Sequence, residues 1–390
     1  MYEGRIIFAQ IMDRLPRRQL DRCIAKYGGD DKVRRLSCRD QFLAMAFAQL
    51  THRDGLRGIQ ETLEVFRNGL YHMGFRCPSV PRSTLADANE SRPWQIWAEF
   101  ALVLMLKAQD LYAGERLAVD LDADLFALDS TTIDLCLARF SWARFRQKKG
   151  AVKAHTLLNL RGQIPAFIVI SDGKWADVNV LDLIAWIAGA YYVMDRGYLD
   201  FARLYRIHQD RAFFVIRAKS NLQFKAVASR PVDMATGLRC DQSIRLSRGP
   251  SREAYPECLR RVKFHDPETG RRLVFWTNDF DLPALTIAEI YRQRWQVELF
   301  FRWIKQNLRI KAFYGYSENA VRTQLWISLA TYCLLAIIRK ELGGNREMGE
   351  IQEILSACVF QKMPIEWAFS RCGQEIVPQD GKKQLILPGF

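Results

Sequence analysis

With 390 residues, 49% of them hydrophobic and 26% charged, the chain can bury a large core in two or three domains of ~150 residues, and a disordered or fibrous polymer is excluded. Fifty-seven Lys and Arg against 43 Asp and Glu leave a net charge of +14, which suits a polyanionic partner such as nucleic acid. The nine cysteines are scattered and form no C-x-x-C pair, and the five histidines form no H-E-x-x-H; both facts argue against a disulfide framework or zinc site and for a reducing compartment.

The opening MYEGRIIFAQIMDRLPRRQ has only a short apolar run between charges, too little for the apolar core of a signal peptide. Residues 1–115 are predicted to be mainly helical, from the apolar spacing in RDQFLAMAFAQL and GIQETLEVF. Pro78 and Pro81 interrupt that pattern, and Ser83 is predicted to cap the helix that follows. The two most apolar stretches, AEFALVLMLKAQ and LWISLATYCLLAIIRK, fall short of the ~18 uncharged residues of a membrane span and read as buried helices. Arg-rich segments such as RLPRRQLDRC fit either a solvated helix face or a DNA-binding surface.

From about 120 the period changes. LFALDSTTIDLCL, AVKAHTLLNL and QIPAFIVIS read as strands, the last two joined by a tight turn at Arg161 and Gly162. A helix near DVNVLDLIAWI, a strand AYYVM, a helix near YLDFARLYRIHQ and a strand AFFVIRA are predicted next. Residues 221–270 carry turn signals such as DPETG and short alternating runs such as RRVKF, which predicts a β-rich insertion. A helix containing YRQRWQVELFFRWIK closes the unit, with Thr286 as N-cap and Glu289 completing a capping box. The resulting division is a helical domain over 1–115, an α/β core over 116–340 and a helical tail over 341–390.

Three acids stand at informative places. Asp129 lies inside the apolar run FALDSTTI, where an ionised carboxylate is costly unless paired or bound to a cation. Asp195 follows the strand AYYVM, at a carboxyl end where ligands of open α/β sheets bind. Glu298 shares the closing helix with Tyr291, Arg294 and Lys305, all four within roughly 60° of one another at about 100° per residue. Their stripe borders an apolar one formed by Ile287, Ile290, Val297, Phe301, Ile304 and Leu308. Singly, each acid has a plainer reading: a satisfied buried carboxylate, a helix cap, an i,i+4 surface pair. Together, acids from a first strand, a fourth strand and a final helix are placed to converge beside one sheet.

LDSTTIDL, VMDRGYLDFARLY and the spaced Tyr, Arg, Glu and Lys resemble the catalytic signatures of the DDE transposases of the insertion-sequence-4 family, and RSTLADANESR is similar to its preceding helical domain. The resemblance covers roughly residues 5–365. It implies an α/β, ribonuclease H-like mixed-sheet core with a β-rich insertion, preceded by an all-helical domain. It implies that Asp129, Asp195 and Glu298 are catalytic and bind divalent ions, two Mg²⁺ or Mn²⁺, and that Tyr291, Arg294 and Lys305 bind DNA phosphates. The implied partners are double-stranded DNA and a second copy in a synaptic homodimer, with no membrane, in the cytoplasm at the nucleoid. Where the family more often has His, this chain has Ala176, and Asp177 beside it is a candidate orienting residue. Trp276 is a candidate for stacking on a flipped base, with core packing as the plainer reading. Lys153 and His155 read as ordinary strand residues before DNA-facing ones. The competing functions are a ribonuclease H-like nuclease that cuts without joining and a domesticated relative that only binds DNA.

Overall fold

A computed structural model describes residues 5–146, 149–219, 222–247, 249–308, 313–344 and 346–370. The residues up to the first strand form helices α1 (Ile7–Met12), α2 (Arg17–Lys26), α3 (Cys38–Leu50), α4 (Leu56–Val65), α5 (Arg82–Ser91) and α6 (Gln95–Tyr112). Helix α3 starts with a full capping box, Ser37 and Asp40 exchanging side-chain and backbone bonds. Ser83 does not cap α5: Pro81 precedes its first residue, and a fixed proline φ there supports the earlier start.

Strands β1 (Leu125–Leu135), β2 (Arg144–Arg146), β3 (Lys149–Asn159) and β4 (Ile164–Asp172) follow, then β5 (Tyr191–Met194), helix α7 (Phe201–Gln209) and β6 (Phe213–Arg217). A turn joins β3 and β4 where one was expected, but it spans residues 160–163, longer than a turn at Arg161 and Gly162 alone, with left-handed backbone at Gly162 (φ +74°) and Gln163 (φ +61°). The segment DVNVLDLIAWI forms only a short 3₁₀ turn at Asp177–Asp182, where an α-helix was expected. Its valine and asparagine are poor helix formers, and Val180 and Leu181 are already buried from the turn, so a longer helix gains little. The insertion consists of β7 (Phe224–Arg230), β8 (Leu238–Leu246), the short helix α8 (Pro250–Ala254), β9 (Leu259–His265) and β10 (Arg272–Thr277).

All ten strands belong to one sheet. β4, β3 and β1 are antiparallel, β5 and β6 run parallel to β1, and β10, β9, β8 and β7 continue the sheet outward from β6 as an antiparallel meander. The order β4-β3-β1-β5-β6 is ribonuclease H-like, and the insertion lengthens that sheet.

Helices α9 (Ala284–Gln293), α10 (Trp295–Asn307), α11 (Glu318–Ile338), α12 (Met348–Cys358) and α13 (Ile365–Phe369) follow among the described residues. The closing helix is thus two: around Arg294 the backbone bonds tighten to i→i−3, from Arg294 N–H to the Tyr291 carbonyl and from Val297 N–H to the Arg294 carbonyl. It begins at Ala284 after Pro283, and Thr286 lies inside it without capping. The predicted apolar stripe is buried throughout, and α9 lies over β5 and β6 while α10 lies over β1. Helix α11 extends to Gly343 in a π-helical turn and is long and apolar enough to cross a membrane, yet 94% of its most apolar window is buried, against α6, α3 and α5. The eight described cysteines are all unpaired.

Candidate active site

The parallel pairing of β1 with β5 ends at Leu128 opposite Met194, and that of β5 with β6 ends at Met194 opposite Ile216. The next residues on the three strands are Asp129, Asp195 and Arg217. Adjacent strands lie ~4.8 Å apart, so register alone sets the two aspartates and an arginine side by side at the carboxyl edge of the sheet.

Each carboxylate is held by its own local chemistry. Asp129 Oδ1 accepts the Ser130 N–H at 2.8 Å. Asp195 Oδ1 accepts the Gly197 N–H at 2.7 Å, an N-cap of the turn Arg196–Tyr198 that fixes one oxygen and leaves the other for the site. Glu298 comes from the first turn of α10, which packs over β1. Arg294 ties strand to helix: Nη1 donates to Asp129 Oδ2 at 3.0 Å and Nη2 to Glu298 Oε1 at 2.5 Å. Its guanidinium lies over the Tyr291 ring at 5.8 Å, and that ring packs on Phe275 at 4.6 Å. Tyr291 is buried, and burial holds its phenol above its ordinary pKa. Lys305 Nζ donates to the Thr132 carbonyl on β1 at 2.9 Å.

Burial drives the Asp129 carboxyl up to about 6; the Asp195 and Glu298 charges push the same way, against the Ser130 N–H and Arg294. Such a site favours a cation. The donors are hard carboxylate oxygens suited to divalent ions that prefer oxygen, and the positive charge of Arg294 sits where the Asp129 and Glu298 oxygens converge, so the residues present fit the expected metal. Among the described residues no three His, Cys, Asp or Glu side chains are drawn close enough to hold one ion together. Asp129 and Glu298 share the guanidinium, and Asp195 stands beside Asp129 by register.

Behind Asp129 lies a second polar group. Asp177 Oδ1 accepts the Ser130 hydroxyl at 2.9 Å and the Lys153 ammonium at 3.1 Å, and Lys153 also donates to the Trp175 carbonyl at 3.1 Å. His155 is fully buried with Nδ1 3.6 Å from Asp177 and Nε2 2.9 Å from the Ser171 hydroxyl; burial lowers its pKa to about 4, so the ring is neutral. Lys153 and His155 therefore face inward. Trp276 is also core, 1% exposed between the rings of Phe201 and Phe224.

Sequence reasoning passed over two neighbours of the site. Arg217 follows FFVI as Asp195 follows YYVM, a signal available in the sequence. Tyr198 is buried with its hydroxyl among Asp129, Asp177 and Asp195, and burial together with those charges raises its pKa; it reads in sequence as an ordinary apolar position.

The family model of the transposase DDE domain matches residues 120–334, more than half of the chain, and that of a domain of unknown function (DUF4372) matches residues 3–76. The chain is 34% identical, over 72% of its length and 78% of the relative's, to a protein named as a transposase in Sinorhizobium fredii. It is 30% identical, over 66% of its length and 67% of the relative's, to one named for an insertion sequence element in Geobacillus stearothermophilus. A third, also named for such an element, in Synechocystis, is 26% identical over 71% of this chain and 78% of its own. By its sequence, and with the sheet order that this domain requires, the chain belongs to the DDE transposase family.

Proposed function

We propose that the chain is the transposase of an insertion sequence, within the insertion-sequence-4 branch, that binds the terminal inverted repeats of its element, cuts a DNA strand there and transfers the end to a target. The observation that carries this reading is the register of Asp129 and Asp195 on neighbouring strands with Glu298 tied to Asp129 through Arg294. A DDE domain works with divalent metal; two Mg²⁺ or Mn²⁺ bound by these carboxylates would supply the Lewis acidity needed at the attacking and leaving oxygens of a phosphodiester.

The chain's own side chains supply the rest. When ionised, Asp129, Asp195 and Glu298 are acceptors only, and these three would hold the cations. Arg294 would hold the phosphate, since its planar fork matches phosphate as well as carboxylate, a bidentate geometry that lysine lacks. Arg217, at the edge beside Asp195, and Lys305, anchored over β1 by its bond to the Thr132 carbonyl, hold neighbouring phosphates. Tyr291 keeps Arg294 over its ring and offers its hydroxyl to the same phosphate.

In this reading residues 1–115 bind DNA, 116–340 are the catalytic core and 341–390 a helical tail, of which 371–390 lie outside the described residues. The working form is a homodimer synapsing two DNA ends, in the cytoplasm at the nucleoid. The test is cleavage of duplexes carrying the ends of the element with Mg²⁺ or Mn²⁺: wild type cuts and joins, and Asp129→Asn, Asp195→Asn and Glu298→Gln each lose at least about 10³-fold. Undiminished cleavage by one variant removes that residue from the site. Cutting without joined products favours the nuclease, and DNA binding without metal binding the DNA-binding relative.

A further inference from the structure

The insertion carries a second basic feature apart from the three-acid site. In β9 and β10, Lys263 pairs with Val274 and His265 with Arg272, and residues opposite one another share a face of the sheet. With Arg239 from β8 these side chains line a cavity of about 530 Å³ that no carboxylate lines. Arg239 and Arg272 are exposed, and among the described residues none of Arg239, Lys263, His265 and Arg272 forms an ion pair. His265 Nδ1 is buried without a hydrogen-bond partner among the described residues. Two residues before Lys263 on β9, Arg261 lies over the Phe224 ring at 5.0 Å and donates to Gln242 at 2.8 Å. The cleft lined by Lys32, Arg34 and Arg35 differs, because Asp31 and Asp87 line it as well.

Register fixes where this groove lies. β10 is antiparallel to both β6 and β9, so β9 runs parallel to β6 and ends, at His265, on the edge that carries Asp195. Counting outward from β5 through β6 and β10, at ~4.8 Å per strand Lys263 on β9 is about 14 Å from Asp195 and Arg239 on β8 about 19 Å. The groove is on the sheet face opposite α9 and opens at the catalytic edge. At ~3.4 Å of rise per phosphate, a duplex laid along that edge would bring phosphates 4 to 6 base pairs from the scissile one to the groove.

We propose that this groove binds the phosphate backbone of the duplex flanking the cleavage point, so that the insertion holds DNA as well as widening the sheet. The inference rests on the transposase reading above. Phosphates supply the negative charge that four clustered basic groups lack, and contacts of this kind position DNA without reading its sequence.

The test compares wild type with the triple variant Arg239→Ala, Lys263→Ala, Arg272→Ala on end duplexes that stop about 2 base pairs past the cleavage point on one side, the other or neither, across a salt series. The expected result is that the variant binds the fully extended duplex at least about tenfold more weakly near 100 mM salt, with a salt slope reduced by roughly 2 to 3, and binds one truncated duplex as wild type does. Arg239→Lys with Arg272→Lys keeps the charge and is expected to keep the slope, which separates lost phosphate contacts from a disturbed fold. Equal affinity and slope on the extended duplex, or an equal loss on all the duplexes, overturns the inference. Wild type that binds none of them overturns the transposase reading as well, whereas wild type that binds and cuts all of them beside an unaffected variant overturns the groove alone.

Discussion

Arg294 and Asp129 meet at 3.0 Å across elements 165 residues apart, and the same guanidinium holds Glu298 at 2.5 Å. A fixed cation therefore competes for the oxygens that the proposed metal must take. Arg294→Ala is expected to tighten Mn²⁺ binding several-fold, measured by calorimetry on the DNA-free protein, while slowing cleavage by about 10- to 100-fold. Unchanged or weaker Mn²⁺ binding would mean that the guanidinium is not a competitor.

Asp129 gives a pH-dependent prediction. Its carboxyl titrates near 6 in the folded chain against 3.8 for the free group, so folding favours the neutral form. That contribution is complete below 3.8 and is lost as pH rises through 6. Asp129→Asn removes the loss. In chelator, the variant is expected to match wild type near pH 4 and to be more stable by on the order of 1 to 2 kcal/mol at pH 7.5, seen as a higher melting temperature. A variant less stable at pH 7.5 than at pH 4, relative to wild type, would contradict the burial argument.

Asp177 predicts a different pattern. Its carboxylate holds both Ser130 and the nearly buried Lys153. Asp177→Ala leaves that ammonium without its ion pair and is expected to cost about 1 to 3 kcal/mol in a denaturant titration. Asp177→Asn keeps an acceptor oxygen and should recover part of the loss. Equal melting midpoints for wild type and the alanine variant would show that Lys153 is satisfied without it.

Gly162 tests the link between the helical layer and the catalytic sheet. It sits at φ +74°, and a Cβ there would stand 2.1 Å from the ring of Tyr112, whose hydroxyl is fixed on the Ala336 carbonyl at 2.9 Å. Gly162→Ala combines backbone strain with a clash against an anchored ring, so a loss of about 2 kcal/mol or more is expected by thermal melting. A loss below about 0.5 kcal/mol would mean that the turn relaxes freely.

Much of this arrangement was legible in the sequence where local signals agreed with the fold. The strand–turn–strand around Gly162, the apolar stripe from Ile287 to Leu308 and the four spaced polar residues could be counted directly. The join between Arg294 and Asp129 could not, because it depends on how α10 lies over β1. Arg217 carried a readable signal in its place after an apolar strand, but only the parallel register of β5 and β6 puts it in line with Asp195. The break at Arg294 and the short turn at Asp177–Asp182 escaped for a common reason: periodicity reports which face is buried and not whether the backbone bonds span three or four residues. At the start of α1, Ile7 and Phe8 donate backbone bonds to the carbonyls of Gln361 and Val359 just after α12, a pairing of distant segments with no local trace.

By pairing β10 with β6, the insertion moves the outer boundary of the sheet to β7. An unpaired strand margin is a template on which another chain can polymerise, and β7 is largely exposed along its length. It carries Lys225 and Arg230 near its ends and a register shift between Ala226 and Ala228, features that repel or misalign an incoming strand. The insertion thus gives the chain a charged, irregular border in place of the flat apolar margin that β6, buried almost throughout, would otherwise offer to aggregation.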